Sequence, residues 1–344
     1  APRCHHRLSL IIRIMEPLAV TLGDPAGIGP EIVGKAWAGR KAHDLPCFFA
    51  VGDERALRNV WSGPIKLIST PSEARAAFDD ALPLINVHDG GDTVPGSPTL
   101  EGARCALDTL GLAIGIAQSG QAAALVTGPV SKKKLQEVGF THPGQTEFIA
   151  ERCGVSASNA AMMLAGPGLR VIPITIHIAL AEVPTALTTE LIVSRGRVAA
   201  KGLTKDFGIE APRIAVAGLN PHAGEQGSMG DEEATIIMPA IEQLRADGLD
   251  VMGPIAPDAL FTPQMRDRYD LALCMYHDQA LIPLKALCFD DGVNMTLGLP
   301  IIRTSPDHGT SYDIAGKDMA HPGAMIAAIR MAALAASHRP SKAA

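Results

Sequence analysis

Aromatic residues are scarce in this sequence, and so are the signals of several protein classes. Phe, Trp and Tyr make up 4% of the 344 residues, whereas the hydrophobic fraction is 47% and the charged fraction 19%. A core of Ala, Leu, Ile and Val fits this composition, which excludes a disordered chain or a coiled coil as a description of the whole. No apolar run approaches the ~20 residues that a membrane-spanning helix needs. We therefore expect a globular protein without a membrane partner.

Charge bears on the partners of the protein, and cysteine usage bears on its cellular compartment. The sequence has 30 basic and 36 acidic residues, a net charge of −6, and no basic tail. A nucleic-acid partner is therefore not expected. None of the 6 cysteines forms a Cys-x-x-Cys pair, and most lie in apolar or helical stretches. Such cysteines are typical of reduced core thiols, which predicts a cytoplasmic location.

The amino-terminal segment is not expected to be a secretion signal. Its short apolar run is interrupted by Arg13 and lacks a small-residue cleavage site. Met15 and Pro17 stand directly before a strand-like stretch, as at a natural start. We expect residues 1–15 to be a non-native or disordered extension.

Short β-branched runs alternate with longer stretches of helical period, which predicts an α/β fold of parallel strands and crossover helices. Strands are expected over residues 18–22, 48–51, 84–87, 123–126, 171–176, 214–218, 271–275 and 301–304. Eight strands exceed one ordinary doubly wound sheet, so two domains are expected, with the chain crossing between them at Thr141–Gln145. Residues 324–336 are expected to form a helix.

Three histidines follow predicted strands directly. In open parallel sheets ligands bind beyond the carboxyl ends of the strands, and His177, His222 and His277 follow the fifth, sixth and seventh predicted strands. Three imidazoles with an open fourth position suit a catalytic divalent metal. Their spacing matches no local zinc motif. It therefore stays open whether they bind a metal or have a structural role, in which each caps a loop or bonds a backbone carbonyl.

A glycine loop at residues 23–29 follows the first strand and precedes a predicted helix. Its G-x3-G-x-G spacing is neither the Rossmann fingerprint nor a phosphate-binding Walker loop. Its backbone N–H groups could face an anion, or the loop could be a tight turn without ligand. Residues 127–134 have the same two interpretations, because a run of lysines usually forms a solvated helix face.

Seven motifs are long enough to be distinctive. They are GDPAGIGPE (23–31), TGPV (127–130), TEF (146–148), GLNPHAGE (218–225), MYHDQ (275–279), GVNMTLGLP (292–300) and DHGT (307–310). Together these motifs resemble the PdxA family of 4-hydroxythreonine-4-phosphate dehydrogenases, which act in vitamin B6 biosynthesis. The resemblance extends from about residue 16 to 335. It implies NAD(P)-dependent oxidation of 4-phosphooxy-L-threonine at C3, followed by decarboxylation to 3-amino-2-oxopropyl phosphate.

The resemblance also implies a site and an assembly. It makes the three strand-end histidines ligands of a divalent ion such as Zn, Mg or Co, in a site between the subunits of a homodimer. The substrate, a small phosphorylated hydroxy acid, is expected to contact Gln145, Thr146, Lys285, Asn294 and Arg303. The guanidinium and ammonium groups suit phosphate or carboxylate, and the neutral side chains suit hydroxyl or amine groups.

A second, more distant likeness concerns the coenzyme and the fold. Residues 308–322 are similar to the adenosine-binding stretch of isopropylmalate and isocitrate dehydrogenases. That similarity implies two α/β/α domains with a central cleft, the first from 16–140 plus 300–340 and the second from 141–299. The expected coenzyme contacts are His308, Gly309, Thr310 and Asp313. An acidic Asp313 would suit ribose hydroxyls and favours NAD over NADP.

Several alternatives stay open. Asp278 and Asp307 are candidate proton acceptors. Many family members carry histidine where Gln145 stands, so either Gln145 offers the substrate a weaker neutral contact or His142 supplies the missing one. Ser228 likewise replaces a frequent histidine. A related dehydrogenase of a four-carbon sugar-acid phosphate or a cis-dihydrodiol carboxylate, an NAD-independent metal-dependent aldolase or isomerase, and a non-catalytic binding protein are the rival functions.

Overall fold

The computed structural model describes residues 15–87 and 91–339. Apart from Met15, the predicted extension over residues 1–15 lies outside the described residues. The chain divides into two compact units, one that runs to Cys153 and resumes at Pro300, and one that comprises Gly154–Leu299.

The described residues form twelve strands and thirteen α-helices. The strands are β1 (Leu18–Thr21), β2 (Phe48–Gly52), β3 (Ile65–Leu67), β4 (Leu82–Asn86), β5 (Leu125–Val126), β6 (Ala161–Gly166), β7 (Leu169–Pro173), β8 (Arg213–Ala217), β9 (Asp250–Ile255), β10 (Leu271–Cys274), β11 (Val293–Leu297) and β12 (Arg303–Pro306). The helices are α1 (Gly29–Ala38), α2 (Glu54–Val60), α3 (Ala74–Ala77), α4 (Leu100–Gln118), α5 (Lys132–Glu137), α6 (Gln145–Arg152), α7 (Val183–Ala186), α8 (Thr189–Phe207), α9 (Met238–Ala246), α10 (Pro257–Leu260), α11 (Pro263–Arg266), α12 (His277–Cys288) and α13 (Gly323–His338). None of these helices is long and apolar enough to cross a membrane.

The first unit contains six parallel strands in the order β3-β4-β2-β1-β5-β12. Strands β1 and β2 are fully buried and read as almost continuous apolar runs, as expected for parallel strands that are covered on both faces. Five predicted strands and the carboxyl-terminal helix α13 are confirmed here. Strand β3 was not predicted, because it has only three residues and Lys66 and Leu67 are exposed.

The second unit has the strand order β11-β6-β7-β10-β8-β9. The four strands from β7 to β9 are parallel, whereas β6 is antiparallel to both of its neighbours. The α/β class is confirmed, but the expectation of parallel strands is wrong for β6, which runs opposite to β7 and β11. Strand β6 was not predicted because its sequence, AMMLAG, contains no β-branched residue.

The predicted crossing at Thr141–Gln145 and the domain boundary after residue 140 need correction. Residues 141–153 belong to the first unit. Phe148 on α6 packs against a buried cluster of Ala106, Leu135 and Phe140, and the Phe140 and Phe148 ring centroids lie 5.4 Å apart. This packing keeps α6, with Gln145 and Thr146, in the first unit.

An ion pair joins the starts of β8 and β10 in the second unit. Asp270 Oδ2 accepts hydrogen bonds from the Arg213 backbone N (2.8 Å) and Nε (3.1 Å), and Oδ1 accepts one from Nη2 (2.9 Å). Burial raises the pKa of Asp270, but the hydrogen bonds from Arg213 outweigh it, so the pKa lies below its ordinary value. Folding therefore favours the ionised form of the Asp270 carboxyl.

Asp270→Asn is expected to lower the free energy of unfolding by about 1–2 kcal/mol at neutral pH, since Arg213 is partly exposed and screened. A carboxyl with a depressed folded pKa contributes stability above its unfolded pKa, and that stability is lost as pH falls through the folded pKa. The difference between wild type and variant should therefore shrink below about pH 4. Urea unfolding at several pH values measures this difference in the free energy of unfolding, with Asp258→Asn at an exposed position as the control. A difference that grows on acidification would contradict this account.

Candidate active site

The three strand-end histidines follow three neighbouring strands of one sheet. Strands β7, β10 and β8 are adjacent and parallel, so their carboxyl ends lie at the same edge of the second unit. His177 follows β7, His277 begins α12 directly after β10, and His222 lies in the loop after β8. The parallel arrangement therefore brings all three segments to one sheet edge.

His177 and His277 are close neighbours at this edge. Their ring centroids lie 5.5 Å apart. Both residues line an open cavity of about 250 Å³, whose lining is Thr175, His177, Ile178, Leu180, Val183, Tyr276, His277 and Asp278. His277 Nδ1 lies 2.7 Å from Asp278 Oδ1. A carboxylate on one ring nitrogen orients the imidazole and leaves the other nitrogen for a metal.

His222 is placed differently. It belongs to the helical turn Pro221–Gly227, in which the φ angles from His222 to Gln226 are all positive. Its side chain is exposed, and Nδ1 lies 3.7 Å from Glu225 Oε2. Within the described parts of the chain, no group of three or more His, Cys, Asp or Glu side chains is placed to hold a metal. The structure thus brings His177 and His277 together, without adding His222 to them.

A buried cation lies at the strand ends of the first unit. Arg303 on β12 is 3% exposed and donates from Nε (3.2 Å) and Nη2 (2.8 Å) to Thr127 Oγ1. Burial lowers the pKa of Arg303 to about 10, and only Glu147 opposes this effect. The guanidinium therefore stays charged at neutral pH. A buried guanidinium is suited to an anionic ligand.

The other predicted substrate residues are divided between the units. Gln145 and Thr146 begin α6 in the first unit, whereas Lys285, which is exposed, and Asn294 lie on α12 and β11 of the second. Gln145 Nε2 lies 3.5 Å from the Gly128 carbonyl oxygen. Its Oε1, like Asn294 Oδ1, is buried without a hydrogen-bond partner among the described residues. Buried polar atoms of this kind are expected to have a partner, and a ligand could supply it.

His142 packs against neighbouring side chains of the first unit. Its ring centroid lies 5.2 Å from that of Phe140 and 5.1 Å from that of Phe148, and its Nε2 lies 2.9 Å from Glu151 Oε2. These contacts engage the ring and Nε2 within the first unit, while Nδ1, like Gln145 Oε1, is buried without a hydrogen-bond partner among the described residues. The engaged ring favours a structural role for His142, which kinetics of variants at both positions can test.

His142→Ala is accordingly expected to lower the free energy of unfolding by about 1–2 kcal/mol, because two ring contacts are lost, and to leave KM unchanged. Gln145→Ala should instead raise KM and leave the free energy of unfolding nearly unchanged. Urea unfolding and steady-state kinetics of both variants separate the two effects. A higher KM for His142→Ala at unchanged stability would return the substrate contact to His142.

The predicted coenzyme loop packs on the glycine loop of the first unit. The Thr310 carbonyl oxygen accepts a hydrogen bond from the Ile28 backbone N (3.0 Å). Tyr312 OH donates to Asp24 Oδ2 (2.6 Å), and burial raises the pKa of Asp24 despite this bond. A Cβ atom at Gly29 would lie 1.9 Å from the Leu22 carbonyl oxygen. The glycines therefore serve close backbone packing, which spacing alone left undecided.

The remaining predicted residues of this loop are partly or fully accessible. Gly309 and Asp313 are exposed, while Asp307 and His308 are partly buried. His308 Nδ1 lies 3.1 Å from the Gly309 carbonyl oxygen. Sequence reasoning missed Asp24 and Tyr312; the strand-end position of Asp24 was the available signal, whereas Tyr312 has no local signature.

Comparison with known proteins gives consistent results. The sequence pattern of the family described as Pyridoxal phosphate biosynthetic protein PdxA matches residues 44–332. The chain is 54% identical over 325 residues to 4-hydroxythreonine-4-phosphate dehydrogenase of Zymomonas mobilis, which covers 94% of this chain and 97% of that relative. It is similar to the crystal structure of 4-hydroxythreonine-4-phosphate dehydrogenase from Klebsiella pneumoniae, with a TM-score of 0.84 and 38% identity over 93% of this chain and 99% of that one. A terephthalate 1,2-cis-dihydrodiol dehydrogenase from Burkholderia xenovorans has a TM-score of 0.64 and 30% identity over 93% of this chain and 98% of that one.

Proposed function

Because this chain belongs to the PdxA family of pyridoxal phosphate biosynthetic proteins, we propose that it oxidises 4-phosphooxy-L-threonine at C3 with NAD or NADP. The observation that carries the proposal is the 54% identity, over nearly the full length of both chains, to a relative named for this reaction. The product of oxidation is a β-keto acid, which loses carbon dioxide to give 3-amino-2-oxopropyl phosphate.

Anion binding supports a phosphorylated substrate. Arg303 is a buried cation beside Thr127, and Lys285 offers a second cation on an exposed helix face. In this proposal these two groups bind phosphate and carboxylate. The buried oxygens of Gln145 and Asn294 accept hydrogen bonds from hydroxyl or amine groups of the substrate. Thr146 at the start of α6 is a further neutral contact.

The donor set on the second unit fits a divalent ion such as Zn, Mg or Co. His177 and His277 supply two imidazoles, and Asp278 holds His277 by its Nδ1. When bound, such an ion supplies Lewis-acid stabilisation of negative charge on the reacting oxygen. His222 is the proposed third ligand.

The remaining steps belong to the chain's own residues. We assign the adenosine part of the coenzyme to His308, Gly309, Thr310 and Asp313, and the bound coenzyme would supply the acceptor for the hydride of C3. The hydroxyl proton passes to a carboxylate. The two candidate proton acceptors are Asp278, whose Oδ1 lies 2.7 Å from His277 Nδ1, and Asp307, which lies directly after β12.

A dehydrogenase assay tests this proposal against its rivals. We expect reduced nicotinamide to form rapidly from 4-phosphooxy-L-threonine, and only slowly from a four-carbon sugar-acid phosphate or a cis-dihydrodiol carboxylate. The first substrate is favoured because identity is 54% to a relative with that name and 30% to the dihydrodiol dehydrogenase. Faster turnover of either rival substrate would reassign the enzyme within the family. Turnover without any nicotinamide would indicate an aldolase or isomerase.

We also propose a homodimer in which both chains complete each metal site. His177 and His277 lie together in one chain, so they should act as a unit, with His222 contributed across the interface. Co-refolding His222→Ala with His277→Ala should then restore partial activity, because one of the two sites in a mixed dimer is intact. Verified heterodimers without recovery would place all ligands in a single chain.

The cysteines support a cytoplasmic location for this enzyme. The five described cysteines form no disulfide, and three of them, Cys105, Cys274 and Cys288, are buried. Burial raises the pKa of Cys47 to about 11 and also raises that of Cys274, so these thiols stay protonated. Unreactive, unpaired thiols are the usual state in a reducing compartment.

A further inference from the structure

One peptide group in the second unit is held from both sides by buried side chains. The Gly218 carbonyl oxygen accepts a hydrogen bond from Gln279 Nε2 (2.8 Å), and the Leu219 backbone N of the same peptide donates to Glu233 Oε1 (2.8 Å). Both Gln279 and Glu233 are 7% exposed. This peptide lies directly after β8, where the chain enters the loop that carries His222. Its orientation is therefore fixed at the base of that loop.

Gln279 connects this peptide to the helix of His277. It is the third residue of α12, and its Oε1 accepts a hydrogen bond from the Met275 backbone N (2.6 Å) just before the helix. The same amide thus binds the end of β10 with its oxygen and the end of β8 with its nitrogen. Only a side chain with both a donor and an acceptor can make this bridge.

Glu233 holds the other side of the loop. Its Oε1 also accepts from the Asn220 backbone N (2.8 Å), and its Oε2 accepts from Asn220 Nδ2 (3.0 Å). A Cβ atom at Gly224 would lie 2.6 Å from Glu233 Oε2, so the loop passes directly against this carboxylate. The left-handed backbone at His222 is energetically costly and persists only where the surroundings determine it. Glu233 supplies such a constraint.

We propose that Gln279 is a positioning residue which, with Glu233, fixes the His222 loop against the start of α12 of its own chain, so that His222 is held in place for the metal site that it completes across the dimer interface. This inference rests on the proposed function, because it assigns His222 and His277 to metal binding. The hydrogen bonds of Gln279 go to backbone groups of Met275 and Gly218, so it acts through the Gly218–Leu219 peptide and the start of α12. Residues that orient metal ligands in this way typically contribute 10–100-fold to metal affinity.

The test uses Co²⁺ as the probe, with calorimetric affinity and the visible absorption bands of the bound ion as readouts. Gln279→Met keeps the side-chain volume and removes both hydrogen bonds. Gln243→Met makes the same change at an exposed position of α9 and is the matched control. We expect Co²⁺ to bind the folded Gln279→Met protein 10–100-fold more weakly, with altered band intensities. The control should match wild type in both readouts.

The outcomes separate this inference from the function on which it rests. If wild type binds no Co²⁺, the proposed metal site fails and the inference fails with it. If wild type binds and folded Gln279→Met has the same affinity and spectrum, only the role of Gln279 is overturned. Should Gln279→Met not fold, Gln279→Glu, measured at a pH where the new carboxyl is ionised, keeps the acceptor for Met275 and loses the donor to Gly218. Wild-type affinity and spectrum for Gln279→Glu would equally overturn the proposal, because the bridge to Gly218 would then be dispensable.

Discussion

Replacing His277 by alanine is expected to lower kcat/KM by about a thousandfold. The ring centroids of His277 and His177 lie 5.5 Å apart, and His277 Nδ1 contacts Asp278 Oδ1. The substitution therefore removes an oriented ligand from the proposed metal site. Lewis-acid stabilisation contributes several kcal/mol, and each 1.4 kcal/mol corresponds to a tenfold change in rate. Steady-state kinetics with saturating metal measures the loss. The melting temperature should change little, because this side chain is about one-third exposed.

A graded series makes this prediction sharper. Asp278→Asn keeps the imidazole but weakens the charge-assisted contact to Nδ1, so a smaller loss of about 10–100-fold is expected. A chelator should abolish wild-type activity, and Zn, Co or Mg should restore it. His43→Ala at an exposed position of the first unit is the control and should be fully active. Full activity of His277→Ala in chelator-treated protein would show that the histidines bind no catalytic metal.

Arg303→Met is expected to raise KM for 4-phosphooxy-L-threonine by about 10–150-fold. A hydrogen bond to a charged group contributes about 1.5–3 kcal/mol, and the guanidinium is the buried cation proposed to bind the substrate anion. The stability of the unliganded protein should change much less. Burial of the charge is itself unfavourable, as the depressed pKa of Arg303 shows, and its removal offsets the lost bonds to Thr127.

Substrate titrations and thermal unfolding of the same protein sample check both parts. Arg330→Met is a suitable control, because Arg330 is an exposed residue of the first unit that bonds the His43 carbonyl oxygen. It should keep wild-type KM. An unchanged KM for Arg303→Met, with reduced stability, would make Arg303 a structural residue and shift anion binding to Lys285.

Local sequence patterns were sufficient for much of the first unit. Strands such as β1 and β2 are buried on both faces, so each is an almost continuous apolar run that can be recognised in the sequence. The boundary near residue 140 failed for the opposite reason. Phe148 and Phe140 flank the predicted crossing, and the contact between them, which no local period reveals, retains α6 in the first unit.

The sequence by itself determined the α/β class, the family and the positions of three histidines at strand ends, because each depends on residues close together in the chain. Tertiary structure alone decided that His177 lies beside His277, that β6 runs antiparallel to β7 and β11, and that His142 packs against two phenylalanines. The bridge from Gln279 to Gly218 spans 61 residues of sequence. Periodicity reports how one segment is buried, whereas a contact between distant residues exists only once the strands have paired and the chain has closed the loop between them.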